Sequence, residues 1–246
     1  MPIRPEIYLD ESYVNKNHSN DFIWYSGEDG AWVQKPTGKG ERLIIVNAIS
    51  SKGWVNNAKL VFQAKRKTGD YHGQMNSELF QKWFTEKLIP NIPNKSLIIM
   101  DNASYHNTLS VCSPPTPTCA KTRIWNWLIE NQIPCDENSL KAELIVTLKK
   151  IAPLPVYEVN EIAKKEGHEI LRTPPYHPEL QPIELCWGVV KNHIARNCDF
   201  TLANLKIQLE DGFDKVSSST CAKMIKKIKA KEDEFWNDDV DFDPSE

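Results

Sequence analysis

Three carboxylates stand where this chain passes from one element to the next. Asp10 closes the apolar run Ile7-Tyr8-Leu9 and is followed by Glu11-Ser12. Asp101 closes a second apolar run, Ser96-Leu97-Ile98-Ile99-Met100, and leads into Asn102-Ala103. Glu184 lies in the stretch Pro174 to Lys191 (PPYHPELQPIELCWGVVK), where an amphipathic helix begins at about Ile183. Pro182, with no N–H to satisfy and a fixed φ, suits the entry to that helix. A carboxylate in the first turn is favoured by the helix dipole. In an open α/β sheet, sites gather at strand ends and at reversals of strand order. Carboxylates brought together there repel one another, so a hard cation is their natural companion. Their oxygens, with open water positions, suit Mg²⁺ or Mn²⁺. Two such ions about 3.5–4 Å apart clamp the attacking and leaving oxygens of an in-line phosphoryl displacement.

The elements that must position these acids are legible in order. Arg42 to Ile49 and Lys59 to Ala64 read as strands that continue the first one as an antiparallel meander, with Gly53, Asn56 and Asn57 at the turn. Residues 15 to 40 are polar, with Phe22, Trp24, Tyr25 and Trp32, and read as a loop plus a short strand. Asn76 to Ile89 carries a helical stripe (Leu79, Phe80, Trp83, Phe84, Leu88) ended by Pro90 and Pro93. The strand that follows such a crossover pairs in parallel with the first. A Pro-rich loop from Thr108 to Thr118 precedes helices over 123–132, 139–151 and 156–165, the second capped by Asn138 or Ser139, the third closed by Gly167. A last strand around Ile170-Leu171 leads into the Pro174 stretch, and Thr201 to Lys231 reads as helix.

With 246 residues, 40% apolar and 26% charged, the chain is long enough for one large domain with an insertion. No apolar run approaches a membrane span, and the first residues lack the apolar core of a signal peptide, so an intracellular protein is expected. The six cysteines form no CxxC pair and no close Cys/His spacing, which argues against structural zinc. The net charge of −3 carries no global nucleic-acid signature. The acids are concentrated in Glu232 to Glu246, however, and the remainder is net basic.

Three blocks taken together resemble the DDE domain of mariner-type transposases: LDES around Asp10, IIMDNASYH around Asp101 and PPYHPELQPIELCWGVVK around Glu184. The resemblance implies an α/β, ribonuclease H-like fold of the retroviral integrase group: a mixed five-stranded sheet flanked by helices, with a helical insertion before the last strand. It implies a catalytic domain over residues 1–236, an insertion over about 108–168 and an acidic, disordered tail over 237–246. Asp10, Asp101 and Glu184 become the catalytic acids and the ligands of two Mg²⁺ or Mn²⁺ ions, in DNA cleavage and strand transfer. Asn102 and His106 match positions near the second acid and are accessory candidates, as is His177. The partners implied are DNA, both transposon ends and target, and a second copy of the chain; the compartment is the nucleus of a eukaryotic host.

Two features depart from the family pattern. Between Asp101 and Glu184 lie 82 residues (102–183), more than is usual in mariner-type enzymes. The strand bearing Asp10 also opens almost at residue 1, without the helix-turn-helix pair that reads transposon ends. The expectation is therefore weak, salt-sensitive DNA binding through Lys35, Lys39, Lys65, Arg66, Lys67, Lys191 and Arg196. The competing reading is a domesticated, catalytically silent remnant that binds DNA or protein. A ribonuclease H-type nuclease acting on RNA in a hybrid is a third, on fold grounds alone.

Overall fold

The structure is a computed structural model and describes residues 4–20, 35–64, 75–136 and 138–241. Strand β1 (Glu6–Asn15) pairs antiparallel with β2 (Arg42–Ser50), and β2 pairs antiparallel with both β3 (Gly53–Trp54) and β4 (Leu60–Gln63). On its other side β1 pairs in parallel with β5 (Leu97–Met100), which pairs in parallel with β6 (Glu169–Arg172). The order is β3-β2-β1-β5-β6, with β4 beside β3 on the same edge of β2. Five positions across the sheet thus hold six strands. The extra one is the two-residue β3, formed where Gly53, at φ 110, turns the chain back on β2. A run so short has no periodicity to read.

Burial follows from sheet position. β2 is buried on both faces and reads as a continuous apolar run, as a central strand must. Along β1, Ile7 and Leu9 enter one core cluster while Tyr8 and Val14 enter the other. On the first face lie α1 (Ser77–Trp83) and α4 (Glu158–Lys165); on the second lie α5 (Pro182–Arg196), α6 (Leu202–Asp214) and α7 (Ser218–Asp241). Burying a large side chain such as Trp83 or Trp187 contributes about 1.5–3 kcal/mol, so each helix is held chiefly by its apolar stripe. Gly212 permits α6 to approach α5, where a Cβ would stand 3.1 Å from Val190 Cγ1.

Several local expectations change. The first helix does not stop at Pro90: α1 widens into a π-helical turn (Phe84–Leu88) and then a 3-10 turn (Ile89–Asn91). This keeps Phe84 and Leu88 on the core with Phe80 and Trp83, and Pro90 sits where its missing N–H is harmless. Helix α3 (Lys141–Ile151) is capped by neither Asn138 nor Ser139; Glu143 Oε2 accepts the Leu140 N–H at 2.8 Å. The 201–231 helix is two, broken at Lys215–Ser217 and started by Thr201, whose side chain accepts the Asn204 N–H. Helix α7 runs to Asp241, into the stretch expected as a tail; residues 242–246 lie outside those described. So do residues 21–34 of the 15–40 stretch expected as a loop plus a short strand.

The stretch 108–168, expected as an insertion, divides between two cores. Helices α2 (Lys121–Glu130) and α3 pack on each other through Ile124, Leu128, Leu144 and Leu148, a cluster of their own. Helix α4 instead buries Val159 and Ala163 in the main core and is the crossover between parallel β5 and β6. The neck of the insertion is closed by a Leu109–Tyr157 bridge and the Ser110 N–H to the Val156 carbonyl, 2.9 Å. Among the described residues no helix is long and apolar enough to cross a membrane.

Candidate active site

Strand pairing brings the first two acids together. The parallel register sets Tyr8 beside Ile99, both in the cluster beneath α5. Two residues further along each chain, on that same face, come Asp10 and Asp101. Adjacent strands are about 4.8 Å apart. Helix α5 crosses this face, and its Trp187 donates Nε1–H to Asp10 Oδ2 at 3.0 Å. Glu184 stands one turn before Trp187 on the same side of the helix. It follows Pro182 in the first turn, as its sequence setting predicts.

The electrostatics report the same neighbourhood. Burial, followed by the charges of Glu11, Glu184 and Asp101, pushes the Asp10 carboxyl well above the usual range. Burial also raises Glu184; Lys191, two turns along α5, opposes the rise and Asp101 adds to it. Lys191 lies over the Tyr13 ring, 5.6 Å from its centre. Yet the carboxylates do not form a closed cage: among the described residues, no three His, Cys, Asp or Glu side chains are grouped to hold a metal ion. The donor set is hard oxygen throughout, as Mg²⁺ or Mn²⁺ requires. The residues fit such an ion by chemistry, and closing around it requires side-chain movement.

Each remaining sequence candidate has a definite place. Asn102 donates its amide to the Thr173 carbonyl at 3.0 Å, tying the ends of β5 and β6 together. His177 pairs with Glu179 at 2.9 Å and packs edge-on against Phe235 of α7. Lys35 and Lys39 are exposed; the Lys39 carbonyl accepts the Asn17 N–H beyond the end of β1. Arg196 is exposed at the far end of α5, twelve residues and about 18 Å along the axis from Glu184. Lys65, Arg66 and Lys67 lie outside the described residues.

His106 is 1% exposed, so it does not meet water or phosphate. Its Nδ1 stands 2.9 Å from Asp101 Oδ1 and its Nε2 3.0 Å from Glu11 Oε1. Burial opposes charge on the ring, but Glu11 and Asp101 outweigh it and push the ring up to about 9. The sequence reading passed over Glu11, Asn47 and Arg172. Asn47 is buried directly across from Asp10 in the β1–β2 pair. Arg172 binds Asn107 Oδ1 (3.1 Å) and Asn160 Oδ1 (2.9 Å) and lies over the Tyr157 ring. The only available signal for Glu11 is strand alternation, which sends it to the face opposite Asp10.

Comparison with known proteins finds one partial family match and a shared fold. Residues 117–203 match the family described as DDE superfamily endonuclease, a stretch that includes Glu184 and lies after Asp10 and Asp101. That match covers about a third of the chain. The fold is shared with the Mos1 strand transfer complex (TM-score 0.54, 12% identity) over 92% of this chain and 52% of that one. It is also shared with the mariner Mos1 paired end complex solved with Mg (0.53, 13%) and with Mn (0.52, 12%), each over 91% of this chain. The chain spans about half the length, 52%, of each of these proteins. No curated protein matches significantly.

Proposed function

We propose that this chain is a transposase catalytic domain that cleaves DNA and transfers the strand, with Asp10, Asp101 and Glu184 as its acidic triad. The observation that carries the reading is proximity: the β1–β5 register sets Asp10 beside Asp101, and Trp187, one turn after Glu184 on α5, donates to Asp10. These residues are at least 83 positions apart in sequence, yet they lie on one side of the sheet. These three would hold Mg²⁺ or Mn²⁺, two ions by the arithmetic of in-line phosphoryl transfer. When bound, the cations would neutralise the triad and the charge that develops on the phosphodiester oxygens.

The chain's own groups do the rest. Trp187 fixes one Asp10 oxygen, so the carboxylate presents the other. The β1–β5 pair holds two acids at strand spacing, while Glu184 comes from the first turn of α5. Lys191 places a positive charge beside Glu184 where a phosphate would approach. DNA is the partner this site fits, with transposon ends and target as its sources, a second copy of the chain as the assembly, and the nucleus as the compartment. The domesticated reading, a silent DNA- or protein-binding remnant, is favoured by one observation: the open arrangement of the carboxylates.

Mn²⁺ titration by calorimetry separates the two, on wild type and on the Asp101→Ala and Glu184→Ala variants, followed by nicking of a duplex. Loss of binding and nicking in both variants is the expected result. Binding that neither substitution changes refutes the triad and leaves the remnant reading.

A further inference from the structure

We propose that Glu11 and His106 are a positioning pair that orients the Asp101 carboxylate, an inference that rests on the triad reading above. The argument begins with strand alternation. Asp10 and Glu11 are consecutive on β1, so they face opposite sides of the sheet. Asp10 meets α5 through Trp187; Glu11, its side chain 4% exposed, meets His106 in the layer beneath. The adjacent acids thus have separate tasks, and Glu11 cannot reach a ligand in the site.

His106 is held on every side. Its ring lies 4.1 Å from the Phe80 ring and 4.6 Å from that of Tyr105, so its plane is set by the core. Both nitrogens face carboxylate oxygens, at 3.0 and 2.9 Å. A neutral imidazole has one donor and would turn a lone pair toward one of those oxygens; two donors satisfy both. The ring therefore bridges Glu11 and Asp101 as a charge-assisted link, the stronger kind of hydrogen bond.

Asp101 needs such a link. Its side chain is 50% exposed, just beyond the end of β5, and left to itself it would sample several rotamers. The Ala103 N–H also donates to Oδ1, at 3.0 Å. Two donors from different directions converge on one oxygen and fix the plane of the carboxylate. Groups behind a ligand act in this way on metal affinity without touching the ion. The pair spans 95 residues, from the first block of the sequence to the second.

The test is Mn²⁺ affinity by EPR of the free ion, with a duplex oligonucleotide present, alongside thermal melting. His106→Gln, whose single amide serves only one of the two carboxylates, is expected to weaken Mn²⁺ binding about 10–100-fold. Glu11→Ala, which leaves Nε2 without an acceptor, is expected to do the same. Glu11→Gln retains an acceptor opposite Nε2 and is expected to keep most of the affinity. A lower melting temperature in His106→Gln and Glu11→Ala with Mn²⁺ affinity at the wild-type value would overturn the proposal and leave the pair as packing. Should His106→Gln fail to fold, the contrast between Glu11→Ala and Glu11→Gln decides. Asp101→Ala is the separate control: if it leaves Mn²⁺ binding intact, the triad itself falls, whereas loss of binding there with unchanged His106→Gln affinity removes the positioning pair alone.

Discussion

Raising the pH should progressively destabilise the metal-free protein, through His106. The ring's protonated form is held by Glu11 and Asp101, which carry it from the ordinary 6.5 to about 9. In that interval the native state binds a proton that the unfolded chain has released, so stability falls as pH rises. Its contribution is complete below about 6.5 and gone above about 9. Each pH unit between the two values is worth ~1.4 kcal/mol, which sums to about 3 kcal/mol. That is a large share of the 5–15 kcal/mol typical of a folded domain. The assay is urea denaturation in EDTA at half-unit steps from pH 6 to 9.5, on wild type and His106→Gln. Other groups also titrate: burial and neighbouring charge raise Asp10 and Glu184, and their stability costs grow from the acid side upward. They are common to both proteins, so the difference between the two curves isolates the ring. A difference that stays constant across this range would refute the charged bridge.

Two further outcomes follow from the geometry. Asp10→Asn removes a carboxylate whose ionisation burial and repulsion disfavour, so its metal-free form should melt above wild type at neutral pH, while the stabilisation that saturating Mn²⁺ gives wild type, about 2.7 kcal/mol at a hundred times Kd, should vanish. Melting curves with and without Mn²⁺ check both halves. Replacing residues 116–153 by a short Gly/Ser linker removes the α2–α3 hairpin with its separate core and leaves the bridged neck, so the remainder should fold with a stability within about 1 kcal/mol of wild type and unchanged Mn²⁺ affinity. Calorimetric melting and the same metal titration test this.

What the sequence by itself determined is local. Alternating and continuous apolar runs, proline at a helix entry and a carboxylate in the first turn each act within a few residues, so the end of β5 and the start of α5 were legible. Asp101 and Glu184 sit at such boundaries, whereas Asp10 ends only the apolar run: it lies midway along β1, which pairs with β2 as far as Asn15. The sequence also pointed to a crossover between β1 and β5, and their parallel pairing is what sets Asp10 beside Asp101.

Only the tertiary structure decided which side of each element meets which partner. Glu11 reads as one more acid beside Asp10 until the sheet is assembled. The pleat then sends it away from α5 and onto a histidine 95 positions later. Trp187 reads as helix packing, which it is, but its N–H also reaches Asp10 across 177 residues. Helix α4 reads as part of an insertion because it follows two inserted helices. It belongs to the main core because parallel β5 and β6 need a covering crossover, and Val159 and Ala163 fill that layer. Hydrogen-bond and packing partners distant in sequence are chosen by sheet order and by which face a residue occupies. Neither is encoded within the span of residues over which periodicity and capping act.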